Sequence, residues 1–129
     1  MNCSIFIPVR LKSERLPKKA FKKIDGKPII QLLVERLQKV KNIKNIVVCT
    51  TDDPSDDELV KFLEKMKINF FRGSINDILD RFLKTTQKFS TDFIIAVDGD
   101  DIYCDPDYVQ KILTEFEKHS NEKRKSYQA

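Results

Sequence analysis

Short apolar runs alternate along this chain with longer amphipathic stretches. Four runs rich in apolar residues lie at residues 4–9, 45–51, 68–73 and 93–97. Runs of this kind are typical of strands that are covered on both faces, and strands joined through helices pair in parallel. The pattern therefore predicts an α/β fold with three layers, in which helices cover both faces of a mainly parallel sheet.

The amphipathic stretches between these runs predict helices with recognisable start signals. Pro28 suits a first helical position, and apolar residues recur behind it at helical spacing. The patterns SDDE from Ser55 and SIND from Ser74 are capping signals that predict the starts of the second and third helices. Asp105, followed by Pro106, predicts the cap of a last helix. The chain is thus predicted to repeat a strand-helix unit.

Length and composition limit the number of domains and the compartment. The 129 residues, 40% of them hydrophobic, fit one compact domain, predicted at residues 1–120 and followed by a disordered polar tail at 121–129. No stretch approaches the roughly 20 apolar residues of a membrane span, and the N-terminus lacks a signal-peptide pattern. These observations predict a cytoplasmic protein with no membrane partner. Cys3, Cys49 and Cys104 form no CxxC pair, so their thiols are predicted to be reduced.

The positive charge of the chain is concentrated near its start. Residues 1–27 carry eight Lys or Arg side chains and two acidic ones, while the net charge of the whole chain is +4. The remainder therefore sums to about −2, which argues against a broad surface for nucleic acid. A local anionic ligand is the favoured partner.

Four loops are predicted to meet at one edge of the sheet. In open parallel sheets, ligands bind beyond the carboxyl ends of the strands. The loops at that edge are 10–19, 50–54, 72–77 and 98–105. Two of them bring cations and two bring carboxylates, a combination that a phosphorylated ligand with a divalent metal would use.

The first and last of these loops carry the clearest chemistry. The first has no GxxxxGK pattern, so side chains would have to bind phosphate, and a solvated basic loop is the alternative. The last, VDGDD, places Asp98, Asp100 and Asp101 within four residues. Magnesium bound by one or two of these carboxylates is one interpretation, and a turn built from Asp and Gly is the other.

The two middle loops are less specific. The aspartates of TTDDPSDDE are interpreted as helix caps, which complement a helix dipole without binding a ligand. Arg72, in the third loop, is a candidate partner for either Asp77 or a ligand. Arg81 lies one helical turn beyond Asp77 on roughly the same predicted face.

The first loop also resembles a known family signature. RLKSERLPKK is similar to the R-x-x-S-x-R-L-P-x-K motif of the sugar cytidylyltransferases, and DGKPII, VVCTTDDPSDD, FFRGSINDILDRF and VDGDDIYCDPDYV continue the match. Together these segments most resemble the spore-coat polysaccharide type, which is related to the acylneuraminate and 3-deoxy-manno-octulosonate enzymes. The resemblance covers essentially the entire chain.

This resemblance implies a fold, a reaction and a set of site residues. The fold would be the Rossmann-like nucleotide-diphospho-sugar transferase fold, and the reaction would transfer CMP from CTP to a sugar with release of pyrophosphate and with magnesium as cofactor. The residues that the resemblance assigns to the nucleotide are Pro8, Val9, Arg10, Ser13, Arg15, Lys19, Arg72 and Asp77. Of these, Arg10, Arg15 and Lys19 would be catalytic because they offset phosphate charge. Asp100, together with Asp98, would coordinate magnesium.

The chain departs from the family in sequence and in length. Lys18 stands where the family usually has glycine, and Ala20 where it often has proline. Family members continue well past residue 129, and the resemblance assigns the acceptor-sugar pocket, a further metal-binding aspartate and a homodimer surface to that continuation. The chain is therefore interpreted as a truncated, N-terminal nucleotide-binding part.

Three functional hypotheses follow. The first is a cytidylyltransferase that activates an acidic surface-polysaccharide sugar. The second is a nucleotide-binding or assembly module without turnover. The third, a glycosyltransferase on the same fold, leaves the basic first loop unexplained.

Overall fold

Residues 2–12, 19–97, 99 and 105–128 are described by the computed structural model, with the side chains of Lys19 and of 119–128 outside that description. Within this part of the chain, strands and helices alternate as predicted. The strands are β1 (Cys3–Pro8), β2 (Lys23–Ile24), β3 (Lys27–Pro28), β4 (Asn45–Thr51), β5 (Asn69–Gly73) and β6 (Phe93–Ala96). The α-helices are α1 (Ile29–Leu37), α2 (Asp57–Lys65), α3 (Ile78–Phe89) and α4 (Pro106–Gln128).

The main sheet has four parallel strands in the order β5-β4-β1-β6. At its centre Ile5 of β1 pairs with Ile46 of β4 on one side and with Ile95 of β6 on the other. The chain first builds outward from β1 through β4 to β5 and then returns to add β6 on the opposite side of β1. Because of this reversal, the topological switch point lies at the carboxyl ends of the neighbouring strands β1 and β6. Open parallel sheets bind ligands at such a point.

Helices cover both faces of this sheet, which confirms the three-layer α/β/α prediction. Successive side chains of a strand point to opposite faces. Ile5 and Ile7 accordingly pack in one core with residues of α1, α2 and α4, whereas Phe6 packs in a second core with residues of α3. The Phe6 ring meets the Phe82 ring of α3 edge to face, with centroids 5.7 Å apart.

The predicted serine caps of α2 and α3 are wrong, because aspartates cap these segments. Asp53 accepts a hydrogen bond from the Ser55 backbone N–H at 2.9 Å and begins a short 3₁₀ turn, so α2 starts only at Asp57. Asp77 Oδ1 accepts from the Asp80 N–H at 3.0 Å, directly before α3. Each aspartate has extended backbone angles that let its carboxylate reach back to the free N–H groups.

The start of α4 follows the prediction, and its end does not. Asp105 Oδ1 accepts from the Asp107 N–H at 2.9 Å, so the predicted cap is confirmed. The helix then continues to Gln128, through most of the segment predicted as a disordered tail. This segment contains Glu, Lys, Arg and Gln but no Gly or Pro, a composition that permits a helix to continue. Among the described residues, none of the helices is both long enough and apolar enough to span a membrane.

A small hairpin, which the sequence analysis did not assign, leads into α1. Strands β2 and β3 pair antiparallel around Asp25 and Gly26, whose φ angles are 53° and 83°. Positive φ at both central positions is what a two-residue hairpin turn of type I′ needs, and Asp-Gly is a recognised signal for it. Pro28 therefore ends β3 and precedes α1 rather than occupying its first position.

Candidate functional site

An open pocket of about 400 Å³ lies at the switch point between β1 and β6. It is lined by Pro8, Val9, Arg10, Ile78, Arg81, Ala96 and Val97. Three of the residues predicted to bind nucleotide, Pro8, Val9 and Arg10, are therefore brought together here. The walls are largely apolar, and the charged side chains among the lining residues are both guanidinium groups.

Arg10 is positioned by the residues on either side of it. The Val9 N–H donates to the Cys49 carbonyl at 3.1 Å, which extends the β1–β4 pairing beyond the end of β1. The Leu11 N–H donates to Asp56 Oδ1 at 2.8 Å. Val9 and Leu11 are buried, whereas Arg10 between them is exposed. The alternation of the strand thus directs the Arg10 side chain to the solvent side of the pocket.

Asp56 is a site residue that the sequence analysis missed. Its side chain is 1% exposed, and its second carboxylate oxygen accepts a hydrogen bond from Thr51 Oγ1. The sequence interpretation of this loop as structural fits Asp53, which caps its own turn. No local pattern indicates that a neighbouring carboxylate would bind the backbone of the first loop, because its partner is 45 positions away.

Arg81 projects from the first turn of α3 into the same region. It is 5% exposed, and its Nη1 donates to the Cys49 carbonyl at 3.3 Å, the same oxygen that accepts from Val9. Its Nε has no hydrogen-bond partner among the described residues. Burial, and then the nearby charge of Arg10, lower the pKa of the Arg81 guanidinium.

Glycines allow two close approaches around this pocket. A Cβ placed on Gly73, at the end of β5, would lie 2.7 Å from Arg81 Cγ. A Cβ on Gly99 would lie 2.7 Å from Val9 Cγ2 and 3.2 Å from the Pro8 carbonyl oxygen. Gly99, the middle residue of the acidic VDGDD segment, is therefore packed directly against the end of β1.

Several predicted site residues lie outside the described part of the chain. They are Ser13, Arg15, the side chain of Lys19, Asp98 and Asp100. Within the described residues, no cluster of three or more His, Cys, Asp or Glu side chains is arranged to bind a metal. The predicted magnesium ligands thus remain predictions from the sequence.

Arg72 and Asp77 lie near the carboxyl end of β5, and the structure does not pair them with each other. Arg72 Nε donates to the Thr51 carbonyl at 2.7 Å, and its Nη2 donates to the Asp53 carbonyl at 2.9 Å and to Asp57 Oδ1 at 2.7 Å. Asp77 caps α3 instead. Arg72 therefore connects β5 to the loop that precedes α2.

The arrangement favours an anionic ligand with a flat or apolar part. Two guanidinium groups can neutralise phosphate or carboxylate oxygens, and the apolar walls can contact a ring. The sequence of residues 4–128 matches the cytidylyltransferase family. The chain belongs to this family.

Known relatives agree with this assignment. The spore coat polysaccharide biosynthesis protein SpsF of Bacillus subtilis is 31% identical, over 88% of this chain and 49% of its own length. The 8-amino-3,8-dideoxy-manno-octulosonate cytidylyltransferase of Shewanella piezotolerans is also 31% identical, over 95% of this chain and 50% of its own.

The fold agrees as well. The solved structure of a CMP:2-keto-3-deoxy-manno-octonic acid synthetase complexed with CTP superposes with a TM-score of 0.78 and 29% identity, covering 92% of this chain and 48% of that one. This cytidylyltransferase chain therefore spans about half the length of the relatives it matches. The sequence-based assignment to the sugar cytidylyltransferases and to their fold is confirmed.

Proposed function

We propose that this cytidylyltransferase chain binds CTP at the switch-point pocket and takes part in the transfer of CMP to a sugar. The observation that carries the proposal is the position of Arg10, held between two anchored residues at the carboxyl end of β1. In the reaction, a sugar oxygen attacks the α-phosphorus of CTP, the bond to the β-phosphate oxygen breaks, and pyrophosphate leaves. The proton of the attacking hydroxyl passes to water.

The proposed roles follow the charge of the triphosphate. Arg10, Arg15 and Lys19 neutralise phosphate oxygens and the departing pyrophosphate, and Ser13 donates a hydrogen bond to them. The apolar walls formed by Pro8 and Val9 contact the nucleoside.

Two further residues complete the proposed nucleotide set. Arg72 and Asp77 lie near the carboxyl end of β5. This strand neighbours β4, so both residues are at the same end of the sheet as the pocket. The proposed role of Arg72 is to lie beside the cytosine, as the resemblance to the family implies.

Magnesium is the proposed cofactor, with Asp100 and Asp98 as its ligands. Both residues are sequence neighbours of Gly99, and Gly99 itself packs against Val9, the residue that precedes Arg10. Bound magnesium supplies positive charge to phosphate oxygens and an orienting point for the triphosphate.

The proposed acceptor is an acidic sugar of a surface polysaccharide. Support comes from the names of the relatives, which refer to octulosonate sugars and to spore coat polysaccharide. A second candidate function is nucleotide binding without turnover, and what favours it is that the chain spans only about half the length of these relatives. A homodimer is part of the first proposal.

We also propose a cytoplasmic location, supported by the free buried thiols of Cys3 and Cys49, whose pKa values burial raises to about 11.

Calorimetric titration of CTP into the 129-residue chain, with and without magnesium, tests the nucleotide site. We expect selective binding of CTP over ATP, GTP and UTP, stronger with magnesium. Arg10→Met should weaken CTP binding at least tenfold, because it removes a cation from the pocket. Lys44→Met is the matched control, since it also removes one positive charge. Lys44 lies in an exposed loop directly before β4, at the amino-terminal ends of the strands and away from the pocket.

The outcome also separates the two candidate functions. Unchanged CTP affinity in a folded Arg10→Met variant, or equal losses in Arg10→Met and Lys44→Met, would contradict the proposed site. If CTP binds, pyrophosphate release on addition of 3-deoxy-manno-octulosonate supports the transferase. Binding without release from any acidic sugar supports the module without turnover.

A further inference from the structure

Arg81 is a buried charged residue to which the proposed function does not yet give a role. It lies 5% exposed in the pocket wall, and its Nε has no hydrogen-bond partner among the described residues. A buried guanidinium group with unpaired donors is costly, because burial removes water from the charge. Such a group requires either a structural reason or a partner that is not among the described residues.

The structural reason is weak at this position. Within the described part of the chain, the Arg81 side chain donates from Nη1 to the Cys49 carbonyl at 3.3 Å, and that carbonyl already accepts from the Val9 N–H at 3.1 Å. The carbonyl would therefore keep a partner if Arg81 were removed. No carboxylate among the described residues forms an ion pair with Arg81.

The electrostatic surroundings of Arg81 favour an incoming anion. Burial lowers the pKa of the Arg81 guanidinium, and repulsion by Arg10, which lines the same pocket, lowers it further, whereas Cys49 and Asp56 act to raise it. The Asp56 carboxylate is already engaged by Leu11 and Thr51. Two guanidinium groups that line one open pocket and repel each other are both stabilised by an anion placed between them.

We propose that Arg81 is a further phosphate-binding residue, which together with Arg10 binds phosphate oxygens of the nucleotide. The inference rests on the proposed function, since it assigns a second cation to the same site. Arg81 supplies its Nε–H and the adjacent N–H groups in the fork geometry that matches phosphate. The packing of its Cγ against Gly73 fixes the approach of α3 that brings the guanidinium to the switch point.

Titrations of CTP and of inorganic pyrophosphate into four proteins test this role. The proteins are the wild type, Arg81→Met, Arg10→Met and Lys84→Met. Lys84→Met is the matched control, because Lys84 is on the same helix with a side chain 55% exposed, paired with Asp80. We expect Arg81→Met to weaken CTP binding at least tenfold, about 1.4 kcal/mol, and Lys84→Met to change it less than twofold. A loss for pyrophosphate as well would assign Arg81 to the β- and γ-phosphates, and a loss for CTP alone to the α-phosphate.

The thermal midpoint of the ligand-free proteins provides the second readout. Removal of an unsatisfied buried charge should leave the midpoint of Arg81→Met unchanged or raised, whereas a purely structural Arg81 predicts a lower midpoint with unchanged affinity. If Arg81→Met does not fold, Arg81→Lys keeps the charge but loses the fork, and at least a threefold loss of CTP affinity is expected. Wild-type affinity in the Arg81 variant that folds, alongside a loss in Arg10→Met, overturns the inference and leaves the proposed function intact. A folded wild type that binds no CTP overturns both.

Discussion

Asp56 illustrates how one side chain can set the geometry of a distant loop. Its carboxylate is almost fully buried and accepts hydrogen bonds from the Leu11 backbone and from the Thr51 hydroxyl. Since Leu11 directly follows Arg10, this carboxylate determines where the basic loop leaves β1. Asp56 is thus a positioning residue for the proposed phosphate site, although it does not line the pocket.

Substitution Asp56→Ala should destabilise the protein and weaken CTP binding. Loss of the carboxylate leaves the buried Leu11 N–H without its acceptor, which costs about 1–3 kcal/mol of the free energy of unfolding. Urea unfolding followed by circular dichroism measures this loss. The matched control is Asp52→Ala, an exposed carboxylate in the same loop, which should change stability by less than about 0.5 kcal/mol. Equal effects of the two substitutions would show that the Leu11 contact contributes nothing.

At the scale of elements, α3 is the helix that carries Arg81 to the switch point. Asp77 caps it through the Asp80 N–H, and the Asp77 carbonyl accepts the Arg81 N–H at 3.1 Å. The first turn of α3 is therefore defined by Asp77. The order of this turn bears directly on where the Arg81 guanidinium lies.

Asp77→Ala should lower the free energy of unfolding by about 1 kcal/mol, the typical value of a lost N-cap. Asp77→Ser should recover most of that loss, because a serine hydroxyl also accepts from the N–H groups of the first turn. Thermal and urea unfolding of the three proteins provide the comparison. Equal stability of the alanine and serine variants would contradict the capping role.

For the whole molecule, the decisive feature is the strand order around β1. Segments about 90 positions apart in the chain meet there: the Val97 N–H donates to the Phe6 carbonyl at 3.0 Å, and Gly99 packs against Pro8 and Val9. The end of β1, which leads into the cationic first loop, and Gly99 of the acidic last loop become neighbours only through this topology. The proposed binding of metal and triphosphate at the carboxyl ends of the strands depends on that juxtaposition.

Gly99→Ala should destabilise the protein by about 1–3 kcal/mol, the range for overpacking a tight contact. The added Cβ would lie 2.7 Å from Val9 Cγ2 and 3.2 Å from a backbone oxygen, so the two loops must separate. A double-mutant cycle with Val9→Ala, which removes the nearest methyl group, measures the contact. We expect a favourable coupling of at least about 0.5 kcal/mol. Strictly additive effects would mean that the two residues do not touch.

The sequence itself determined the classes and approximate bounds of the main elements. Periodicity is a local property, so the strands β1, β4, β5 and β6 are confirmed within about one residue of the predicted runs. The cationic first loop was also recognisable, because five basic side chains lie together at residues 10–19. The hairpin before α1 was missed although its Asp-Gly turn is a local signal.

Tertiary structure alone decided which residues became partners. Serines at the predicted caps were displaced by aspartates, because a cap depends on where the backbone turns into the helix. The burial of Arg81, the hydrogen bond from Leu11 to Asp56 and the contact of Gly99 with Val9 join positions far apart in the chain. Such contacts depend on strand order and helix packing, which local patterns do not encode. For this reason the burial of Asp56 and of Arg81 became apparent only from the fold.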